Sequence, residues 1–179
     1  VAASNPAGIT ALGDRLDLGL SWFGPRRSAS ISGNGVAPDA TYNGDRARNF
    51  FLPEVGYTRR IDDRWHVGLA VYGNGGMNTD YASNPYARFG ATGSAGVNLE
   101  QLFVTPSVAY KLSPEHSLGL GLNLAYQRFS AKGLGLFNGF SQAPGQVSDQ
   151  GDDTSTGAGL RLGWTGQVSE RVTLGAMYA

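Results

Sequence analysis

The sequence has no cysteine, only two histidines, few lysines and no long apolar run. Without cysteine there is no disulfide framework and no thiolate chemistry. Fourteen basic and fourteen acidic residues give a formal net charge of zero, so a nucleic-acid partner has no electrostatic support. A helical membrane span needs about 20 consecutive apolar residues, and no stretch approaches that. A membrane is not thereby excluded, because a barrel strand needs only about 9–11 residues and half of them face a polar lumen. No charged, then apolar, then small-residue leader stands at Val1, so an exported protein would have lost it or the sequence starts later.

Catalytic motifs are missing as well. There is no Gly-x-Ser-x-Gly elbow and no Walker loop. The Gly119-Leu120-Gly121 stretch lies inside a strand pattern rather than before a helix, which argues against a phosphate cradle. His66 and His116 flank turns of different hairpins without a cluster of further ligands, so a metal site is not expected. No nucleophile and base converge in the sequence pattern. The chain reads as a non-enzyme without a cofactor.

What is present is glycine, 27 residues of it, in a period-two alternation that suits strands and turns far better than helices. One pattern recurs: an alternating strand, a short polar turn and a second alternating strand. Its copies run from Val55 to Leu69, from Pro106 to Leu120 and from Leu162 to Ala176. Aligned on their turns, Ile61, Leu112 and Val168 correspond, as do Gly68, Gly119 and Gly175. A repeated hairpin with one apolar face is the sequence pattern of a transmembrane β-barrel.

Seven strands are expected. Their apolar faces are Leu16 to Trp22, Phe51 to Tyr57, Trp65 to Val71, Leu102 to Tyr110, Leu118 to Tyr126, Ala158 to Trp164 and Val172 to Tyr178. Long polar segments are expected at about 24–48, 73–96 and 130–156. A soluble β-sandwich also alternates, with its apolar face inside. Three features favour the barrel. Long and short connections alternate. Aromatics sit near strand ends, with Trp22 and Tyr126 on the long-loop side and Tyr57, Trp65, Tyr110 and Trp164 on the short-turn side, as interfacial girdles do. The opposite face is small and polar, with occasional charges such as Glu54 and Arg161. Pro53 and Pro106 cannot donate to a ladder, so each predicts a bulge, a kink or a gap in pairing. Seven strands is an odd number for a bacterial barrel, and the sequence stops at Tyr178-Ala179 within a strand pattern. It therefore reads as part of a longer chain.

The fold class is thus all-β, a partial antiparallel transmembrane β-barrel. Asn5-Pro6-Ala7-Gly8, the run Phe51 to Tyr57, the run Asp63 to Leu69, and Thr105 to Leu112 followed by Ser117-Leu118-Gly119 together resemble the FadL/TodX family of outer-membrane transporters. The resemblance spans most of the chain and matches the long loops poorly. It implies a fourteen-stranded barrel with an N-terminal hatch, in the outer membrane of a Gram-negative bacterium, carrying long-chain fatty acids or aromatic hydrocarbons inward. Residues 1–13 would then be the remnant of the hatch and residues 14–179 the N-terminal half of the barrel. The implied partners are a hydrophobic small molecule and outer-membrane lipid, with the whole barrel a monomer. A structural or adhesive barrel is the alternative.

On this resemblance Asn5, Pro6 and Ala7 correspond to the hatch motif; from turn chemistry alone they form either a rigid turn or a flexible one. Gly73, Gly75 and Gly76 correspond to a kinked strand beside a lateral gap, and an ordinary loop start is equally compatible with them. Leu134, Leu136, Phe137 and Phe140 form an apolar cluster in a polar loop. Such a cluster marks a binding surface or packs over the barrel mouth. Met77, Tyr81, Tyr86 and Phe89 in the preceding loop are expected to line the same groove. Asp149, Asp152 and Asp153 lack the ligand ladder of a calcium loop and read as a solvated acidic loop.

Overall fold

A computed structural model describes residues 3–179, and the side-chain surroundings of Asn74 and Gly75 lie outside the described residues. Seven antiparallel strands form one sheet, with neighbours in chain order. They are β1 (Arg15–Phe23), β4 (Phe50–Arg60), β5 (Trp65–Tyr81), β6 (Ala95–Lys111), β7 (His116–Lys132), β8 (Asp153–Ser169) and β9 (Val172–Tyr178). A separate hairpin, β2 (Ser28–Ile31) with β3 (Ala40–Asn43), lies in the first long connection. That segment was expected as an unbroken polar loop. Its short alternating runs, Ser-Ala-Ser-Ile and Ala-Thr-Tyr-Asn, pair as strands. The sheet curls without closing, and β1 and β9 are its edges.

The three short turns share one device. Asp62 accepts hydrogen bonds from the N–H groups of Arg64 and Trp65 (2.8 Å each). Ser113 accepts from Glu115 (3.2 Å) and His116 (3.1 Å), and Ser169 from Arg171 (3.4 Å). Each is the first polar residue after the matched Ile61, Leu112 or Val168. A side-chain oxygen that takes up the donor two residues on imitates a backbone turn. The Trp65 and Arg64 N–H groups hold the Asp62 carboxyl below the usual carboxylate range.

Register partners in an antiparallel sheet share a face, and successive residues alternate between faces. The row Trp65, Tyr110, Leu118, Trp164, Ala176 therefore lies on one face, with the Trp65 and Tyr110 rings 4.7 Å apart. Leu102, Tyr126 and Thr156 form a row farther up the same face. Between these rows β7 runs from Leu118 to Tyr126, about 27 Å at a rise of ~3.4 Å per residue, which matches the ~25 Å apolar band of an outer-membrane barrel. Leucines on this face are open, Leu18 at 74% and Leu160 at 64%. The opposite face carries the buried residues His66, Ala70, Thr105, Ser107, Ala109 and Ser117. The alternation thus assigns the inner and outer walls as the sequence predicted.

Both strand prolines interrupt pairing. The β6–β7 ladder passes from Val104↔Leu124 to Ser107↔Gly121, skipping Pro106 without a change of register. The β4–β5 ladder ends at Glu54↔Tyr72, the position next to Pro53, while residues 50–53 stay paired to β1. In β5 the register slips between Gly73↔Leu102 and Gly76↔Glu100. Three steps there oppose two on β6, so β5 carries one extra residue, a β-bulge.

Candidate functional site

The inner wall is occupied at one end by the N-terminal segment. Pro6–Ala11 forms a short 3-10 helix capped by Asn5, whose side-chain oxygen accepts from the Ala7 N–H at 3.0 Å. Proline at the first turn gives up an N–H that would be unpaired there in any case. The Asn5 amide nitrogen donates to the carbonyls of Trp164 (3.0 Å) and Ala176 (3.2 Å), tying the segment to β8 and β9. Ile9 is fully buried with Ala70 and Ala109 as its core neighbours. The Thr10 hydroxyl pairs with the Ser117 hydroxyl at 2.9 Å. Arg161 donates to the Ala3 carbonyl, and Thr58 to the Gly13 carbonyl.

Two wall glycines make this contact possible. A Cβ at Gly119 would overlap the Ala7 backbone, and one at Gly163 would overlap the Asn5 side chain. These glycines are register partners, in the same row as His66 and Ala109. Here glycine serves close approach of two chain segments. The sequence offered the recurrence of Gly119 at a fixed place in the repeat but no sign of what lay over it.

Beside the segment is a cavity of about 520 Å³. Its walls include Ala3 and Leu12 of the segment, Gly19 of β1, Glu54 of β4, and Tyr72 and Gly73 of β5. It reaches the place where the β4–β5 ladder stops. There the Leu52 side chain lies 3.3 Å from where a Cβ on Gly73 would sit. The gate residues of the sequence reading are thus divided. Gly73 and Gly76 flank the bulge, and the side-chain surroundings of Gly75 lie outside the described residues.

The outer loops are shorter than expected. β5 continues to Tyr81 and β6 begins at Ala95, while β7 continues to Lys132 and β8 begins at Asp153. Met77 and Tyr81 are therefore strand residues, a correction to their expected place in a loop. Tyr81 packs its ring against Gly44, where a Cβ would sit 3.0 Å from it. The remaining loops touch one another. Tyr86 meets Phe137 edge-on at 5.2 Å. Asn84, 2% exposed, donates to the Gly133 carbonyl at 2.9 Å. Arg88 donates to the Tyr42 hydroxyl at 2.8 Å, joining the β2–β3 hairpin to the same unit. Leu134 is half-buried, Leu136 and Phe137 are partly open, and Phe140 is 88% exposed rather than packed downward. Phe89 is also open.

Asp149 adopts a left-handed backbone (φ 66°) and accepts from the Gly133 N–H at 3.1 Å, closing the base of the loop at 133–152. Asp152 pairs with Arg128, whose guanidinium holds its carboxyl below the usual range. Asp153 begins β8. The three acids serve different contacts, and no cluster of metal-ligating side chains occurs among the described residues.

The family model for outer membrane protein transport proteins (OMPP1/FadL/TodX) matches residues 1–179. The chain belongs to the OMPP1/FadL/TodX family. Among solved structures, the toluene transporter TodX of Pseudomonas putida is similar at 19% identity and a TM-score of 0.70, covering 98% of this chain and 48% of its own. The Ralstonia pickettii toluene transporter TbuX gives 19% identity and 0.70, covering 98% and 50%. A Pseudomonas aeruginosa FadL homologue gives 20% and 0.62, covering 97% and 45%. The chain thus spans about half the length of these relatives. No curated protein matches. The family places the chain in the outer membrane as a β-barrel protein, and its members are transport proteins.

Proposed function

We propose that this chain forms about half of an outer-membrane barrel that passes hydrophobic small molecules passively, capturing them at the external loops and releasing them sideways into the membrane. Residues 3–13 act as the hatch. Leu134, Leu136, Phe137, Phe140 and Phe89 offer the capture surface, with Met77 and Tyr81 on the wall beneath. The observation that carries the reading is the end of the β4–β5 ladder at Glu54↔Tyr72 while both strands continue. Hydrogen-bond pairing between these two neighbouring strands stops there, and the cavity beside the N-terminal segment reaches that place. Membership of a transport family supports the reading. Two of the similar structures are toluene transporters, which makes aromatic hydrocarbons the first compounds to try. No covalent step is needed, so no residue is assigned a catalytic role.

Cells producing the complete barrel should take up labelled toluene or oleate faster than cells lacking it. Equal uptake of both compounds with and without the barrel would overturn the transport reading.

A further inference from the structure

On the outer face β4 presents every second residue: Phe51, Pro53, Val55, Tyr57, Arg59 and, at the turn, Ile61. Five are apolar or aromatic, and one is an arginine. The register fixes the facing, because Tyr57 is the partner of Leu69 and Arg59 the partner of Val67. The depth follows from the repeat. Arg59 stands two residues before Ile61, as Tyr110 stands two residues before the matched Leu112. An arginine therefore occupies, beside the first short turn, the position that the second repeat gives to a girdle tyrosine. Trp65 lies between the two. It is the register partner of Tyr110, with the rings 4.7 Å apart, and the diagonal neighbour of Arg59. The Arg64 guanidinium reaches the same group and donates to the Tyr110 hydroxyl at 2.9 Å. The nearby carboxylates are already engaged. Asp62 accepts from two backbone N–H groups, Asp63 pairs with Arg60, and Asp14 accepts from the Arg60 N–H at 2.7 Å. Among the described residues no carboxylate comes within ion-pair distance of Arg59 or Arg64, and both arginines are exposed.

We propose that Arg59 and Arg64, flanking the Trp65–Tyr110 pair, bind the phosphate of an anionic phospholipid in the periplasmic leaflet. Short turns of an outer-membrane barrel lie on the periplasmic side, which puts this group at the headgroup level of that leaflet. A cation on the lipid face is costly in hydrocarbon and is stable at the interface when an anion meets it. A guanidinium offers parallel N–H donors that fit phosphate oxygens. Tyr110 already holds Arg64 in place, which lowers the cost of ordering that side chain on binding. Toward the bilayer the outer face continues as Tyr57, Val67, Val55 and Leu69, an apolar lane for the acyl chain, and Trp65 is 46% exposed beside it. Two arginines repel the cationic amine or choline of a zwitterionic headgroup, so the site favours a lipid of net negative charge. The third repeat carries Gly166 at the place equivalent to Arg59, so the site belongs to the first hairpin alone among the three. It concerns the lipid around the barrel and is independent of what the barrel carries.

The test reads Trp65 fluorescence in the complete barrel, with every other tryptophan replaced by phenylalanine. The barrel is placed in phosphatidylcholine bilayers that contain a minor fraction of brominated phosphatidylglycerol or, at the same fraction, of brominated phosphatidylcholine. Stronger quenching by the first should show phosphatidylglycerol enriched at Trp65 over its share of the bilayer. Arg59→Gln and Arg64→Gln should each lower that enrichment about fivefold, and Arg59→Lys should keep most of it. Arg171→Gln removes an equal charge from another short turn and should leave it unchanged. The replaced side chains are exposed, so all variants should show the heat-modifiable mobility of the parent. Equal quenching by the two brominated lipids in the parent would overturn the site. So would an enrichment lowered as much by Arg171→Gln as by Arg59→Gln, which would show diffuse charge at that end of the barrel. An enrichment erased by excess inorganic phosphate at constant ionic strength would make this a site for a free anion and overturn the lipid assignment.

Discussion

The Asn5 amide and the Trp164 carbonyl meet at 3.0 Å, across 159 positions of sequence. With the Ala176 bond beside it, this contact makes one N-terminal side chain the clasp between the inner segment and the last two strands. Asn5 uses both ends of its amide, the oxygen as helix cap and the nitrogen as donor to the wall.

Asn5→Ala loses the cap and both donations. The expected cost is about 1–2 kcal/mol from the cap together with exposed-to-partly-buried hydrogen bonds, read by urea unfolding in lipid vesicles. Asn5→Asp keeps the capping oxygen and cannot donate to the carbonyls. It should release the segment from β8 and β9, seen as faster proteolysis near Ile9, while the wall stays folded.

Gly119 and Gly159 give a paired test of close approach. Gly119→Ala places a methyl into the Ala7 backbone, whereas a Cβ at Gly159 meets nothing within 4 Å. The first should displace the N-terminal segment and increase leakage of small polar solutes. The second should change stability by no more than about 0.5 kcal/mol. Equal leakage in both variants would contradict the contact.

The outward face can be tested with charge. Leu122→Arg at the level of the bilayer midplane should cost about 2–4 kcal/mol in vesicle refolding. Gly121→Ser faces inward, and its Cβ would sit 3.1 Å from the Ser107 hydroxyl, which can rotate aside. It should be far milder. Equal refolding defects for Leu122→Arg and Gly121→Arg would reject the facing.

Alternation made the lipid-facing strands legible, because period two survives wherever one face is greasy and the other is not. It failed at the upper wall for a physical reason. Gly73-Asn74-Gly75-Gly76 resembles a loop start, and the bulge there shifts the phase by one. Met77 and Tyr81 then looked like loop aromatics and apolars rather than inner-wall residues. Leu99 and Phe129, register partners of each other, sit on the face that is polar lower down, each beside a charged chain neighbour, Glu100 and Arg128, on the opposite face. The role of Gly119 and Gly163 was not readable at all, since it depends on a segment more than a hundred residues away. Asn84 looks in sequence like any loop asparagine, and only its burial against Gly133 separates it from the rest.

The end of pairing between β4 and β5 predicts a steric effect on uptake. Gly73→Val adds carbon where Leu52 already lies 3.3 Å from the Cβ position. It should lower uptake of bulky apolar compounds several-fold while heat-modifiable gel mobility stays normal. Leu52→Ala should move uptake the other way. Unchanged uptake in both variants would place the exit elsewhere.

Acid should loosen the first short turn. The Asp62 carboxyl is held below its ordinary value by the Trp65 and Arg64 N–H groups. Its contribution is therefore fully present above the unfolded value of about 3.9 and is lost as pH falls through the lowered folded value. Amide exchange at Arg64 and Trp65, corrected with Asp62→Ala as the unlinked reference, should converge on that reference at low pH.

The three tryptophans, Trp22, Trp65 and Trp164, all stand on the outer face near the ends of the apolar band. Fluorescence quenching by lipids brominated along the acyl chain, in complete barrels that keep one of these tryptophans at a time, therefore measures the wall directly. Strong quenching by bromine near the headgroup and weak quenching by bromine at the chain end, for all three, is the expected result. Fluorescence indifferent to brominated lipid and quenched by aqueous iodide would show that the apolar face does not meet the bilayer, and the barrel wall described above would be wrong.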